Sequence, residues 1–126
     1  MKKSNFQLVR QRLLKVEFLV NKKYKPSKDH QIPIEYYPDI KVQKHKNQNS
    51  AFVTFNMEIF KNDGSDKYPF YIALSIQGHF RWNEGLENID NYLHINAPAV
   101  LMSYLRSIVS QLTIQAGFPP LNTSVD

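Results

Sequence analysis

The side chains with the most chemistry to offer are four histidines, His30, His45, His79 and His94, and the carboxylates Glu35, Glu58, Glu84 and Glu87. Two imidazoles at His-x-x-x-His spacing would hold zinc from one helix face, and two converging carboxylates would serve as general acid and base. Neither arrangement can be read here: the histidines lie far apart with no carboxylate or thiol motif beside them, and each glutamate reads as a surface residue. The chain has no cysteine, which excludes disulfides, thiolate metal sites and a cysteine nucleophile. Its glycines, Gly64, Gly78, Gly85 and Gly117, form neither a phosphate-cradling loop nor a nucleophile elbow. No catalytic residue, metal or cofactor is assigned.

Charge leaves several classes of partner open. A net charge of +5 on 126 residues attracts nucleic acid, an anionic membrane or an acidic protein alike. The lysines gather in Lys22, Lys23, Lys25 and Lys28 and again in Lys41, Lys44 and Lys46, places that read as loops and strand ends, so a solvated face is the expectation. Nucleic-acid binding would add stacking aromatics such as Tyr71 to these patches; without a recognition motif it is not the expected activity. The start, Met1-Lys2-Lys3-Ser4, is basic, but Arg10, Arg12 and Lys15 interrupt the stretch after it, so no signal-peptide core forms. No run approaches the roughly 20 apolar residues that span a bilayer, and a cytoplasmic protein is expected.

The elements that would position any site are set by periodicity. Phe6 to Val20 reads as a long strand, apolar on both sides, with a bulge near Arg10 to Arg12. Asn21 to Asp39 is a long irregular connection carrying Pro26, Pro33 and Pro38; connections of that length are often functional. A short strand is expected over Ile40 to Lys46. Ala51, Val53, Phe55, Met57 and Ile59 alternate with Thr54, Asn56 and Glu58 in the next. Asn62-Asp63-Gly64-Ser65-Asp66 is a hairpin turn, and Tyr68 to Trp82 alternates most clearly of all.

After a turn at Asn83-Glu84-Gly85 the period becomes helical. Leu86 to Leu93 holds a helical turn, Asn96 is placed to cap a helix with Pro98 in its first turn, and Leu101, Leu105, Ile108, Leu112 and Ala116 form its apolar stripe. Gly117 ends the helix and Pro119-Pro120 forbids its continuation. Twenty residues from Ala97 to Ala116 would run about 30 Å. Such a helix suggests association through Leu101, Leu105, Ile108 and Leu112, with a thick intramolecular core as the equal competitor. The whole chain, residues 1–126, reads as one α+β domain: four antiparallel strands packed with one long C-terminal helix.

The segment from Ala97-Pro98-Ala99-Val100-Leu101 to Ala116-Gly117-Phe118-Pro119-Pro120-Leu121-Asn122 resembles the SecB family, in which a helix runs into Gly-x-Phe-Pro-x-Leu-Asn. Phe6-Gln7-Leu8-Val9-Arg10 is similar to the family's opening strand, and Ile76-Gln77-Gly78-His79-Phe80 to its Gly-x-Phe strand. The resemblance implies a Greek-key sheet, a homotetramer built as a dimer of dimers, and a holdase that binds unfolded polypeptide without nucleotide or metal. It places the client groove along the connection after the first strand, here Tyr24, Ile32, Ile34, Tyr36 and Tyr37, with Phe118 and Leu121 at the corner after the helix.

Two departures bear on partners. The sequence ends at Asp126, leaving no counterpart for the family's second helix and charged tail, which docks on the SecA motor. Lys15, Leu19 and Ala73 stand where the family offers SecA acidic sheet residues, so an acidic docking face does not carry over. Three readings remain: a holdase for export, a chaperone dedicated to one client such as an antitoxin, and a basic nucleic-acid-binding or structural oligomer.

Overall fold

The computed structural model describes residues 5–25 and 33–118. Strands β1 (Phe6–Val20), β2 (Tyr36–Lys44), β3 (Ser50–Ile59) and β4 (Phe70–Trp82) form one antiparallel sheet in the order β1-β4-β3-β2. Strands β2, β3 and β4 succeed one another as neighbours and β1 returns beside β4, which is the expected Greek key. The connection after β1 therefore joins the two opposite edges of the sheet.

The register of β1 explains its two-sided sequence. Leu8 pairs with Phe80 and Arg10 with His79, so Val9 is extra; Leu13 pairs with Ile76 and Lys15 with Ser75, so Leu14 is extra. Each bulge resets which parity faces the helix, giving Phe6 and Leu8, then Gln11 and Leu13, then Val16, Phe18 and Val20. One bulge lies beside the expected place; the second has no sign in the local sequence. Strand β2 begins at Tyr36 and takes in Pro38, which an edge strand tolerates because one row of its N–H groups has no neighbouring strand among the described residues.

The helix begins earlier than the sequence suggests. Helix α1 (Ile89–Asn91) continues through a π-helical turn (Tyr92–Asn96) into α2 (Ala97–Gln115). Asn96 is thus an interior helical residue with φ −71° and makes no side-chain cap, correcting its reading as an N-cap. Pro98 supplies the reason: a proline inside a helix has no N–H to donate and crowds the carbonyl of residue i−4, and the wider π turn just before it relieves both. The far end closes as the sequence suggests. Gly117 takes φ +84°, its N–H donates to the Ile114 carbonyl at 3.0 Å, and the Phe118 N–H donates to the Thr113 carbonyl at 2.9 Å, a Schellman closure.

The core lies between the helix and one face of the sheet. Ala51, Val53, Phe55, Met57 and Ile59 of β3 and Phe70, Ile72, Leu74, Ile76 and Phe80 of β4 meet Leu93, Ala97, Leu101, Leu105 and Val109. Gly78 permits the close approach: a Cβ there would sit 2.6 Å from Phe80 Cε2, 3.0 Å from Leu101 Cδ2 and 3.1 Å from Leu8 Cδ1. The assignment of Leu101 and Leu105 to an oligomer face is corrected, since both are wholly enclosed by the chain's own sheet. The buried stripe runs Ala97, Leu101, Leu105, Val109, Thr113, one residue every four, and leaves Ile108 and Leu112 half-buried at its margin.

Candidate peptide-binding surfaces

Helix α2 covers the middle of the sheet and leaves apolar rows on both sides. Toward β1, Leu13, Val16 and Val20 are 44%, 45% and 50% exposed on the helix side of the strand, with the bulge residues Val9 and Leu14 also exposed. Gln11, Leu13, Ile76, Ser103, Tyr104, Ser107 and Ile108 enclose an open groove of about 400 Å³ between this row and the helix. Sequence reading missed this groove; the two-sided apolar pattern of β1 was its one visible sign.

Toward β2, Ile34, Tyr36 and Val42 pack against the core and Ile40 is exposed. Burial raises the Tyr36 phenol above its ordinary range, and the charge of Arg106 on the helix offsets part of that rise. Glu35 ties the flank to the next loop. Its carbonyl accepts the Phe60 N–H at 2.9 Å, and its carboxylate accepts the Tyr37 hydroxyl at 3.1 Å. The hydrogen bond with Glu35 also raises the Tyr68 phenol. Phe60 itself sits at φ +61°, a costly conformation for a residue with a Cβ, held here by rings on two sides.

The expected client residues divide between places. Ile34 and Tyr36 share the helix side. Tyr37, the next residue in the strand, points to the opposite face and lies under the Lys61 ammonium, 5.4 Å from its ring centroid. Phe118 stands against Phe70 with ring centroids 5.1 Å apart and continues an aromatic cluster with Phe60, Tyr68 and Phe18. Tyr24 is half-buried just after β1, its N–H donating to the Asn21 carbonyl at 3.2 Å. Asn21 in turn donates its amide to the Ser65 and Tyr68 carbonyls, both at 2.8 Å. Ile32 and Leu121 lie outside the described residues.

The outer face of the sheet is polar and patterned in charge. At one end Arg10, Arg12, Phe52, Gln77 and His79 line a depression of about 250 Å³, and His45 closes on Phe52 and His79 edge-on. At the other end lie Glu17 and Glu58, opposite Ala73 on their respective sides. Tyr71 donates to Glu58 Oε2 at 3.0 Å; desolvation and that bond push its phenol up to about 12. Among the described residues no group of three His, Asp or Glu side chains could hold a metal, and no helix is long and apolar enough to cross a membrane.

The fold is an α+β scaffold, one helix on one face of an antiparallel sheet, with aliphatic side chains left exposed on either side of the helix. A family model described as preprotein translocase subunit SecB matches residues 5–125, and the chain belongs to the SecB family. Relatives include an uncharacterized protein of Methanocaldococcus jannaschii, 28% identical over 84% of this chain and 68% of its own length. A protein-export protein SecB of Roseobacter denitrificans is 32% identical over 71% of this chain, which spans only 59% of that relative. Among solved structures, the SecB-like chaperone of Mycobacterium tuberculosis, in complex with a ChAD peptide from the HigA1 antitoxin, superposes with a TM-score of 0.75. That match is 17% identical and covers 97% of this chain and 91% of the other.

Proposed function

We propose that this chain is a non-enzymatic, ATP-independent chaperone that holds unfolded or extended polypeptide on its apolar flanks. The observation that carries the reading is the exposure of aliphatic side chains on both sides of α2, on a fold whose family includes export chaperones. The two flanks suit different occupants. Among the described residues strand β1 is a long edge of the sheet, apolar on its helix side, so it suits pairing with another copy of itself. Val16, Tyr104 and Ile108 would be covered in that pairing, the first step toward a dimer of dimers.

Strand β2 suits a client better. Pro38 withholds a ladder donor, and Asp39 and Lys41 place charge along the strand, both of which discourage strand pairing between copies. Ile34, Tyr36 and Ile40 then offer aliphatic and aromatic surface to apolar client side chains while the client backbone keeps water and edge groups as partners. Affinity would accumulate over several such weak sites in one oligomer. The test is light scattering from a chemically unfolded, aggregating protein diluted into buffer: stoichiometric amounts of this chain suppress the signal, and an unchanged signal refutes the proposal.

A dedicated chaperone for one client is the second reading. It is favoured by the neighbour solved with an antitoxin peptide and by the net charge of +5, a poor match to an acidic SecA-docking face. Purification from the source cell separates the two, since dedication gives one stoichiometric partner and general export gives a mixture with SecA.

A further inference from the structure

The small depression lined by Arg10, Arg12, Phe52, Gln77 and His79 has no part in holding polypeptide on the helix-side flanks. It owes its existence to the first bulge of β1. Phe6 and Leu8 face the helix, Val9 is extra, and Gln11 and Leu13 then face the helix, which turns Arg10 and Arg12 outward beside His79 and Gln77. Without that bulge both arginines would point at the core. Strand β3 sets Phe52 level with His79. A hydrogen bond between His45 Nδ1 and the hydroxyl of the buried Ser50 orients the His45 ring, which closes edge-on against both.

The depression has two kinds of wall. On one side the Phe52 and His79 rings stack with centroids 4.9 Å apart. Burial first, and then the charges of His45 and Arg81, hold the His79 imidazole below its ordinary range, so at neutral pH this wall is uncharged and aromatic. His79 Nε2 is buried and has no hydrogen-bond partner among the described residues. On the other side Arg10 and Arg12 are exposed, two positions apart on one strand face, with about 7 Å between their α-carbons. Two guanidinium forks at that spacing can close on one oxyanion. Among the described residues neither arginine, nor Arg81 one level along β4, is in an ion pair, and no carboxylate lines the depression.

We propose that this depression binds a nucleoside phosphate, with its base against the Phe52 and His79 wall and its phosphate held by Arg10 and Arg12. Inorganic phosphate would engage the arginines and leave the aromatic wall bare. An uncharged aromatic compound would leave the guanidinium groups unanswered. A nucleotide satisfies both walls at once. The depression holds about 250 Å³ and His45 closes one side, which suits a single nucleotide; a strand needs a groove that continues. With no carboxylate there to hold magnesium, the site binds and does not hydrolyse. It lies on the opposite side of the sheet from the client flanks, so client holding needs no nucleotide and does not compete with one.

The test is isothermal titration calorimetry of the full chain at low salt with AMP, adenosine, inorganic phosphate and oligo-A. AMP is expected to bind, with adenosine and phosphate each weaker by more than about tenfold. Arg10→Ala with Arg12→Ala should weaken AMP by more than about tenfold, and Phe52→Leu by more than about fivefold. Lys15→Ala with Lys61→Ala removes the same charge from elsewhere on the chain and should change AMP affinity by less than about twofold. Circular dichroism and the urea midpoint check that each variant folds. Phosphate binding as tightly as AMP, or an equal loss in the lysine variant, overturns the proposal, as does the absence of AMP binding. Oligo-A binding more tightly per nucleotide than AMP overturns it in favour of a single-stranded nucleic-acid site. The readout is ligand binding alone, so the outcome is independent of whether the chain suppresses client aggregation.

Discussion

Strands β1 and β4 lie side by side and are both rich in aliphatic residues, yet they end in opposite environments. Phe70, Ile72, Leu74, Ile76 and Phe80 of β4 are buried under the helix, whereas Leu13, Leu14, Val16, Leu19 and Val20 of β1 remain exposed. The difference comes from coverage. Helix α2 lies over β3 and β4 and ends its reach at the margin of β1, and two bulges turn extra aliphatic residues, Val9 and Leu14, out of the ladder. Hydrophobicity in β4 stabilises the chain; in β1 it is available to something else.

This contrast is open to direct attack. The largest effect should come from the core: Leu105→Ala removes an enclosed side chain and is expected to cost about 2–5 kcal/mol in urea unfolding. Gly78→Ala tests the closeness of helix and sheet from the other direction, because its new methyl must displace Phe80, Leu101 and Leu8, at about 1–3 kcal/mol. The matching change in β1, Leu13→Asp with Val16→Asp, should leave the circular dichroism spectrum intact while shifting multi-angle light scattering toward the monomer. A variant that instead unfolds would place β1 with β4 as core and remove the distinction.

The smallest effect concerns the outer face. His79 has its pKa lowered, first by burial and then by the charges of His45 and Arg81. Arg10 and Arg12 face it from β1, and β3 presents uncharged Phe52 and Thr54. A histidine whose folded pKa lies below its unfolded value of about 6.5 favours the native state above that pH. That contribution is lost as pH falls through the lower, folded pKa. His79→Gln is therefore expected to flatten the pH dependence of the urea midpoint below about 6.5, with little change at pH 8.

Much of the fold was legible because alternation is strong where one face is covered: β3 and β4 can be read from Ala51 to Ile59 and from Phe70 to Trp82 nearly residue by residue. The Greek key and the helix stop at Gly117 came with the family resemblance and the Gly-Phe-Pro corner. The features that stayed hidden depend on context outside the local pattern. Pro98 reads as a first-turn proline, and only the π turn before it permits a helix that starts at Ile89. The stripe through Leu101 and Leu105 announces an apolar face without saying that the chain's own sheet covers it. Tyr36 and Tyr37 read as one site, although adjacent strand residues face opposite ways. The basic depression at Arg10, Phe52 and His79 draws its members from separate strands, so spacing along the chain carries no sign of it.

The central claim is that the β2 flank holds unfolded polypeptide. A photo-crosslinking side chain placed at Ile40, which is 37% exposed beside Tyr36 and Val42, tests it most directly against the same group at Glu84 in the turn after β4. The account predicts crosslinks to a non-native client from position 40, none from position 84, and none from either to the same client once folded. Crosslinking that is equal at the two positions, or absent at Ile40 while the chain still suppresses aggregation, would contradict it.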